Sequence, residues 1–533
     1  MTDSITTATD LHPHLSSPAA MLRHWAATRP DEPMLTLNSR TLTWSEAYGR
    51  ARQVASALAA DGIGPGDRVA FLDRSGIEFF EIFFGCCLLG AVTVAVNWRL
   101  APAEMATIID DAGAAVLLHG SDYDDAVAEI AALVPSVRTF VPLADLDSWL
   151  AAQVDGTPAD PGFEPQTDDV VTQLYTSGTT GLPKGVMITG GNLTTILHGA
   201  AELFRIGPDT VSMAAMPLFH IGGVGWALSG MTGGGHTVIL RDVDPIEVLR
   251  IISTHGVTET FVVPAVLMML LATPQLTETD LSSMRTVFYG ASPISEDVLV
   301  RSMEAFGCDF AQVYGLTETT GAITSLMPED HDPSGPRANL LRSAGRPYPH
   351  VELRIVDSTS GEDLPAGAVG EVLCRSAQNM LGYWNKPAET AAAIDAEGWF
   401  KTGDAGWLSE EGFLFLHDRI KDMIVSGGEN VYPAEVENAL LSHPGVADAA
   451  VIGVPHEKWG ETVKAIVVRN PAAEGSDDEL ATEVLADVRT RLARYKCPTS
   501  IDFVDVLPRN PSGKILKREL RAPYWEGRER NIG

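Results

Sequence analysis

Basic side chains are scarce in this sequence. Its 38 lysines and arginines stand against 70 aspartates and glutamates, which gives a formal net charge of −32 at pH 7. A field of this sign repels DNA, RNA and anionic lipid over the molecule as a whole. The charge balance therefore disfavours a nucleic-acid-binding protein or one that adheres to membrane surfaces.

Long apolar runs are also missing. The longest nearly unbroken one covers residues 82–96, with Thr93 as its only polar member. It is shorter than the roughly 18 residues that a membrane-spanning helix needs, so we expect a buried helix and strand and no stable membrane insertion. The N-terminus has no basic segment followed by an apolar stretch, and a secretory signal is therefore not expected.

Cysteine is rare, and its spacing excludes two common uses. The sequence has five cysteines, an odd number, and none of them forms a CxxC pair. We therefore expect free thiols in a reducing cytoplasm rather than a disulfide framework or a zinc site. The cysteines are Cys86, Cys87, Cys308, Cys374 and Cys497.

The remaining composition is typical of a soluble globular protein. Hydrophobic residues make up 45% and charged residues 20% of the chain, which excludes collagen-like and disordered classes. At about 100 to 200 residues per domain, 533 residues predict three or four domains.

Two stretches alternate short β-branched runs with longer amphipathic segments. Residues 68–118 form one, and residues 211–315, with helix-like segments at 245–255 and 294–306, form the other. This alternation predicts parallel sheets covered by helices on both faces. The strand-like runs of the second stretch are 211–216, 236–240, 259–263, 284–289 and 309–314.

The pattern changes from about residue 351. Residues 351–356, 370–375 and 413–417 are strand-like with turns between them, which favours an antiparallel unit. Beyond residue 419, helical and strand-like segments form a tail of about 110 residues, the size of a small domain. We therefore predict an α/β fold with a large N-terminal domain of two helix-covered sheets plus an antiparallel β unit, followed by a small α+β C-terminal domain.

Residues 176–185, TSGTTGLPKG, form the most distinctive segment. Its glycines let the backbone approach a ligand, its N–H groups and hydroxyls can donate to an anion, and Lys184 adds a positive charge; together these suit a polyphosphate. It is not a Walker A loop, because GxxxxGK[S/T] is absent and a strand-like run, 186–189, follows. An ordinary hairpin turn is the alternative, but ten such residues in succession disfavour it.

The segment resembles the phosphate loop of the adenylate-forming superfamily, which includes acyl-CoA synthetases, peptide-synthetase adenylation domains and beetle luciferases. Five further signatures follow in the family's order, and the resemblance covers about residues 21–521. It implies an N-terminal domain, residues 1–419, that binds acid and ATP, and a mobile C-terminal domain, residues 420–533, hinged at Lys421. The signatures are YGASP at 289–293, YGLTETT at 314–320, KTGD at 401–404, DRIKD at 418–422 and NPSGK at 510–514.

The resemblance implies a nucleotide site assembled from these segments. Tyr314 would stack on the adenine, while Asp404, expected in a tight turn, and Arg419 would hold the ribose. Without the resemblance, a packed core aromatic is an equally good interpretation of Tyr314. A surface ion pair is the alternative interpretation of Asp404 and Arg419. The implied ATP-binding residues are Thr176, Ser177, Gly178, Thr179, Thr180, Gly181, Lys184, Gly290, Ala291, Ser292, Gln312, Tyr314, Gly315, Asp404 and Arg419.

By the same resemblance, Glu318 and the Thr176 hydroxyl would position Mg²⁺, and Thr317 would contact a phosphate. A carboxylate oxygen is the hard ligand that Mg²⁺ takes while keeping waters and bridging phosphates. As a single residue, Glu318 is more often a solvated acid. The expected cofactors are therefore ATP and Mg²⁺, with coenzyme A as a substrate.

Lys514 is the expected catalytic lysine. A carboxylate that attacks the α-phosphate of ATP must approach another anion, and an ammonium that contacts both relieves the repulsion. A solvated lysine in a polar turn is the alternative. Residues 489–530 carry 11 basic against 5 acidic residues, and a basic tail over a phosphate-rich site is electrostatically favourable.

Two further segments resemble elements that serve the acyl group and the thiol. His220, within MPLFHIGG, matches the family's aromatic gate, although a structural histidine is the alternative. Ser426, Gly427 and Gly428 match the loop that reaches the pantetheine of CoA, although a plain turn remains open. Val425 stands where many relatives carry a lysine.

The implied function is an AMP-forming acyl-CoA ligase in the cytoplasm. Residues 97–100, 427–433 and 457–461 are most similar to bacterial fatty-acid–CoA ligases, so a fatty acid is the expected substrate. An aryl- or alicyclic-carboxylate ligase and a non-catalytic nucleotide-binding regulator are the alternatives. Seven glycines within residues 222–235 either leave room for a long chain or serve close helix packing. The sequence leaves open whether the chain forms a homodimer.

Overall fold

A computed structural model describes residues 15–153, 158–177, 183–419, 422–426, 429–456, 460–509 and 515–526. Within these ranges, no helix combines the length and apolar character that crossing a bilayer requires. The α-helices are Pro18–Thr28, Trp44–Ala60, Ile77–Leu89, Pro102–Ala112, Asp124–Ile130, Leu146–Gln153, Gly190–Leu203, Ile221–Met231, Pro245–His255, Pro264–Leu271, Glu296–Phe306, Pro387–Ala393, Pro433–Leu441, Asp477–Arg491 and Lys517–Trp525.

The strands, numbered in chain order, are β1 Pro33–Leu37, β2 Arg40–Thr43, β3 Arg68–Leu72, β4 Val92–Ala95, β5 Val116–His119, β6 Thr139–Pro142, β7 Val170–Ser177, β8 Pro183–Thr189, β9 Val211–Ala214, β10 His236–Ile239, β11 Glu259–Val262, β12 Thr286–Gly290, β13 Asp309–Leu316, β14 Gly321–Leu326, β15 Arg346–Pro347, β16 Glu352–Val356, β17 Gly370–Arg375, β18 Gly382–Tyr383, β19 Phe400–Leu408, β20 Leu414–Arg419, β21 Ile424–Ser426, β22 Glu429–Val431, β23 Val446–His456, β24 Gly460–Arg469 and β25 Ser500–Val504.

The first large sheet has nine strands in the order β15-β14-β13-β12-β11-β9-β10-β1-β2. The strands from β13 to β1 in that order are parallel. The five that begin within residues 211–315 were predicted to be parallel, and β1 joins them from outside that stretch. The sheet is extended at both edges by antiparallel strands, β2 on one side and β14 with β15 on the other.

The second large sheet has seven strands in the order β18-β8-β7-β4-β3-β5-β6. Its strands from β7 to β6 are parallel, and β8 and β18 extend it in antiparallel fashion. The buried helix Ile77–Leu89 and β4 account for the apolar run at 82–96. This helix belongs to one core cluster that also holds Phe71 of this sheet and Ile239 of the other, so the two sheets share a core.

Local capping sets the helix boundaries. The helix Pro245–His255 begins after Asp244, whose side chain accepts a hydrogen bond from the Glu247 N–H, and it has proline in its first turn. It ends at Gly256, which has the left-handed conformation that glycine adopts most easily. The apolar residues three and four positions apart face the core: Val248, Leu249, Ile251 and Ile252.

The rest of the chain forms two smaller sheets. The antiparallel unit predicted from residue 351 is a four-stranded sheet in the order β16-β17-β19-β20. The C-terminal part holds a five-stranded sheet in which β25 joins the order β22-β21-β24-β23 by pairing with β24. The helices Pro433–Leu441 and Asp477–Arg491 pack on it around a separate apolar core. A large mixed α/β domain followed by a smaller one is therefore the observed fold class.

Candidate active site

The two ends of the phosphate-loop segment lie on paired antiparallel strands. Thr176 at the end of β7 pairs with Lys184 at the start of β8, so a strand follows the loop, as expected. The predicted residues Gly178, Thr179, Thr180 and Gly181 lie outside the described residues, as does the side chain of Ser177. The Lys184 ammonium lies 4.8 Å from the centroid of the Tyr383 ring.

The carboxyl ends of β12 and β13 lie side by side. Gly290, the last residue of β12, pairs with Val313, and a Cβ at Gly290 would lie 2.0 Å from the Val313 carbonyl oxygen, so only glycine fits there. The next residue, Ala291, has φ 62°, an uncommon value for a residue with a Cβ. Ser292 follows it. Open α/β sheets bind ligands at such an edge.

Tyr314 and Asp404 are joined directly. The Tyr314 hydroxyl, on β13, donates a hydrogen bond to Asp404 Oδ2, on β19, over 2.7 Å. The four-stranded sheet, which contains β19, therefore brings Asp404 to the carboxyl end of β13 in the nine-stranded sheet. Arg419 is the backbone partner of Asp404 in the β19–β20 pairing, and its side chain lies outside the described residues.

The expected tight turn at Asp404 is wrong. Asp404 lies within β19, where the register to β20 shifts between Asp404 and Gly406. The preceding Gly403 has φ 69°, which glycine adopts without steric cost. A bulge inside a strand, rather than a turn between strands, therefore aims this carboxylate at Tyr314.

Thr317 and Glu318 lie in the turn between β13 and β14. The Thr320 N–H closes the turn on the Thr317 carbonyl over 3.0 Å. A Cβ at Gly315 would lie 1.9 Å from the Gly321 carbonyl oxygen, so the turn requires glycine there. Glu318 is held at two points: its carbonyl accepts from the Met380 N–H over 2.8 Å, and its Oε1 accepts from the Tyr383 hydroxyl over 3.0 Å.

The oxygen atoms that this turn and Thr176 offer as ligands fit a hydrated magnesium ion. Glu318 Oε2 accepts no hydrogen bond in the described part of the chain, so one carboxylate oxygen of this half-buried residue is available. A carboxylate oxygen and a threonine hydroxyl are hard ligands, and Mg²⁺ commonly takes only one or two from the protein while waters and phosphates supply the others.

Gln312 offers a second available acceptor. It lies two residues before Tyr314 on β13, and alternate residues of a strand share a face. Its Oε1 is buried and has no hydrogen-bond partner among the residues that the structure describes. A buried amide oxygen without a donor is costly unless a ligand supplies one.

His220 lies at the start of the helix Ile221–Met231, in contact with Phe219, whose ring centroid is 4.4 Å away. Burial, with a smaller contribution from the charge of Arg99, lowers the pKa of His220 to about 4. The ring is therefore neutral at pH 7. The ring centroids of Trp98 and Phe219 lie 6.3 Å apart in an edge-to-face arrangement, so the expected gate lies in an aromatic cluster.

The glycines of residues 222–235 mostly serve close packing. A Cβ at Gly223 would lie 2.1 Å from the Pro217 carbonyl oxygen, and one at Gly235 would lie 2.6 Å from that of Thr210. Gly230 and Gly233 are similarly enclosed. Of the two explanations that the sequence leaves open, these four positions support packing rather than space for an acyl chain.

Other predicted residues fall outside the described ranges. These are the catalytic Lys514, the hinge Lys421, and Gly427 and Gly428 of the expected CoA loop. The residues that flank 510–514 are described: Arg509 and Ile515 pair in an antiparallel bridge. Ser426 is buried and pairs with Gly460.

Two contributors were not predicted from the sequence. Tyr383 contacts Lys184 and Glu318, and the buried Gln378 donates from Nε2 to the carbonyls of Thr319, at 2.7 Å, and Ala322, at 2.8 Å. Gln378 follows β17 and Tyr383 ends β18. These hydrogen-bond partners lie 56 to 65 positions away along the chain, and Lys184 is more distant still.

Comparison with known proteins agrees with this geometry. Models of the AMP-binding enzyme and of the AMP-binding enzyme C-terminal domain match residues 22–384 and 435–514. The fatty acid–[acyl-carrier-protein] ligase ScoC of Streptomyces coeruleorubidus is 40% identical over 98% of this chain and 99% of its own. The feruloyl-CoA synthase of Amycolatopsis sp is 39% identical over 91% and 94%, respectively.

The fold is also similar to that of a solved structure. ATP-bound MatB from Rhodopseudomonas palustris has a TM-score of 0.85 and 30% identity, over 95% of this chain and 99% of that one. With identity at this level along almost the whole chain, and the Tyr314–Asp404 pair beside the Glu318 turn, this protein belongs to the adenylate-forming family of AMP-binding enzymes and is an AMP-forming acid–thiol ligase.

Proposed function

We propose that this ligase activates a fatty acid and transfers it to CoA. The carboxylate attacks the α-phosphate of ATP to give acyl-AMP and pyrophosphate, and the CoA thiol then displaces AMP. The hydrogen bond between Tyr314 and Asp404, beside Glu318, carries the nucleotide part of this proposal, and the choice of a fatty acid rests on the resemblance of residues 97–100, 427–433 and 457–461 to fatty-acid–CoA ligases. This hydrogen bond joins residues 90 positions apart and sets an aromatic face, an acceptor-only carboxylate and a hard oxygen side by side.

The nucleotide lies along this edge in the proposal. Its adenine stacks on Tyr314, with the buried Gln312 Oε1 accepting from an amino group. The ribose hydroxyls donate to Asp404, with Arg419 beside them. Glu318 and Thr176 hold Mg²⁺, which when bound neutralises phosphate charge. Lys184 and the loop that precedes it hold the phosphates.

The C-terminal part supplies the rest of the machinery. Lys514 contacts the carboxylate and the α-phosphate together and so lowers their repulsion. A rotation at Lys421 of residues 420–533 relative to residues 1–419 then removes Lys514 and brings Ser426 and its following glycines to the pantetheine of CoA. A few backbone torsions are sufficient for such a rotation.

An aromatic acid is the second candidate substrate. It is favoured by the cluster of Trp98, Phe219 and His220 at the expected gate, and by the use of glycines such as Gly223 and Gly230 for packing. An aromatic acid can stack on such a cluster. The two named relatives act on a fatty acid and, by its name, on a feruloyl group, so both classes deserve a direct test.

The test is AMP release with ATP and Mg²⁺ across fatty, aromatic and alicyclic acids, with CoA or a phosphopantetheinylated acyl carrier protein as the thiol. We expect the highest kcat/KM with a fatty acid and CoA. A preference for aromatic acids would replace the first candidate with the second. Product formed only on the carrier protein would overturn the choice of CoA, and acid-independent ATP turnover would overturn both.

A further inference from the structure

Tyr383 lies between two charged groups of the site. Its hydroxyl donates to Glu318 Oε1 over 3.0 Å, and its ring centroid is 4.8 Å from Lys184 Nζ. An ammonium at this distance from an aromatic ring is attracted by the ring's negative face. One side chain therefore contacts both the carboxylate proposed to face the metal and the lysine of the phosphate loop.

The backbone around Tyr383 makes the same two connections. β18 pairs with β8 through Met187 and Val186, and the Trp384 N–H donates to the Gly185 carbonyl over 2.8 Å. On the other side, the Met380 N–H donates to the Glu318 carbonyl. Residues 380–384 thus tie the strand that carries Lys184 to the turn that carries Glu318.

The Tyr383 side chain is well placed to orient others because it is itself held. It is 8% exposed and belongs to the core cluster shared by the two large sheets. Its N–H donates to Thr390 Oγ1 over 2.9 Å, which anchors β18 to the helix Pro387–Ala393. A fixed hydroxyl at Oε1 restricts rotation of the Glu318 carboxylate and leaves Oε2 as its available oxygen.

We propose that Tyr383 is a positioning residue that sets the Glu318 carboxylate for the metal–nucleotide complex and aligns it with Lys184. The inference rests on the proposed function, in which Glu318 holds Mg²⁺. If Tyr383 were only a core residue, losing its hydroxyl would change stability without changing the dependence of ATP binding on Mg²⁺.

The test is calorimetric titration of the full chain with ATP, with and without Mg²⁺, which requires no turnover. Tyr383→Phe keeps the ring over Lys184 and removes the hydroxyl. We expect ATP affinity without Mg²⁺ to stay within about twofold of wild type, and the gain in affinity on adding Mg²⁺ to fall roughly fivefold to tenfold, as for loss of a hydrogen bond of average strength. An unchanged gain would overturn the inference.

A matched control and a second variant complete the design. Tyr348→Phe deletes a buried tyrosine hydroxyl that has no hydrogen-bond partner among the described residues, and it should leave both affinities unchanged. Tyr383→Leu also removes the ring from Lys184, so ATP should bind more weakly even without Mg²⁺. Binding of ATP alone at wild-type strength in Tyr383→Leu would contradict the alignment of Lys184.

Glu318→Gln tests the metal role of Glu318 separately from the positioning role of Tyr383. If this variant keeps the full gain with Mg²⁺, the metal role of Glu318 in the proposed function is wrong. If Glu318→Gln loses the gain while Tyr383→Phe keeps it, only the role of Tyr383 is wrong. Adding Tyr383→Phe to Glu318→Gln should cause no further loss, because the two residues act on one ion.

Discussion

At the residue scale, the carboxyl of Glu259 makes stability depend on pH. The residue is 3% exposed, and its Oε2 has no hydrogen-bond partner within the described ranges. Burial raises the pKa of Glu259 from 4.5 to about 7, against the opposing charge of Arg285 and with a contribution from Asp209. Ionising this carboxyl is therefore harder in the folded chain than in the unfolded one.

The folded state binds this proton more tightly than the unfolded state, so the stability it contributes is complete below pH 4.5 and is lost as the pH rises through about 7. We expect Glu259→Gln to be more stable than wild type at pH 8, by roughly 1–3 kcal/mol, and to lose this pH dependence. Urea unfolding at pH 5 and pH 8 measures it, with the exposed Glu304→Gln as control. Parallel behaviour of wild type and Glu259→Gln would contradict the assignment.

His220 gives a dependence of the opposite sign. Its pKa falls from 6.5 to about 4, so its neutral form stabilises the fold above pH 6.5, and that contribution is lost as the pH falls toward 4. We expect the His220 imidazole signal, assigned by its absence in His220→Phe, not to titrate between pH 8 and pH 5 in NMR spectra. Titration near pH 6.5 would show that the ring is solvated and would contradict the lowered pKa.

At the scale of elements, the glycines of the helix Ile221–Met231 differ in what surrounds them. A Cβ at Gly230 would lie 2.7 Å from Ser212 Cβ, whereas one at Gly225 would meet only the Ile221 side chain, at 3.3 Å. Gly230→Ala should therefore lower the free energy of unfolding by about 1–3 kcal/mol. Gly225→Ala, its matched control, should be near neutral or stabilising by up to about 1 kcal/mol. Equal effects in urea unfolding would contradict the packing assignment.

Elements with strong local signals were predictable from the sequence. The helix Pro245–His255 has the boundaries that its apolar spacing predicts, and Asp244 and Gly256 cap its two ends. The β1–β2 hairpin and β14 were not predicted, because their strands are only four to six residues long and so short a pattern is a weak signal. The turn at Asp404 was wrong because Gly403 permits a bulge as readily as a turn.

Some residues of the candidate site were likewise predictable from the sequence, and others were not. Tyr314 and Asp404 were predicted from signatures in the sequence, and the structure brings them into contact. Tyr383 and Gln378 were missed, because their roles come from hydrogen bonds to distant segments rather than from neighbours in the chain. Signatures mark residues within one short stretch of chain, whereas contacts such as those of Tyr383 and Gln378 become visible only in the fold.

At the scale of the whole molecule, the basic tail is less free than its composition suggests. Several of its cations are paired with carboxylates of the C-terminal part itself, which lowers the field that the tail could present to a polyphosphate. The proposal therefore depends on Lys514 as an individual contact rather than on the tail's net charge. The pairs are Lys496–Glu435, Arg509–Asp448, Lys517–Glu437 and Arg521–Asp422.

The proposed rotation between domains gives a separate prediction. Lys421→Pro fixes a backbone torsion at the hinge, so acid-dependent ATP–pyrophosphate exchange should persist while thioester formation falls by at least about tenfold. Lys421→Ala, which keeps the torsion free, should retain both half-reactions. Equal loss of both in Lys421→Pro would count against a hinge at this residue.

In the proposed mechanism, Lys514 brings the acid carboxylate and the α-phosphate of ATP together, and the whole reaction depends on this contact. Acid-dependent ATP–pyrophosphate exchange in Lys514→Ala, with the exposed Arg518→Ala as control for tail charge, tests it most directly. We expect a loss of about 100-fold or more in Lys514→Ala, with ATP affinity kept and Arg518→Ala near wild type. Wild-type exchange in Lys514→Ala at saturating substrates would contradict this role.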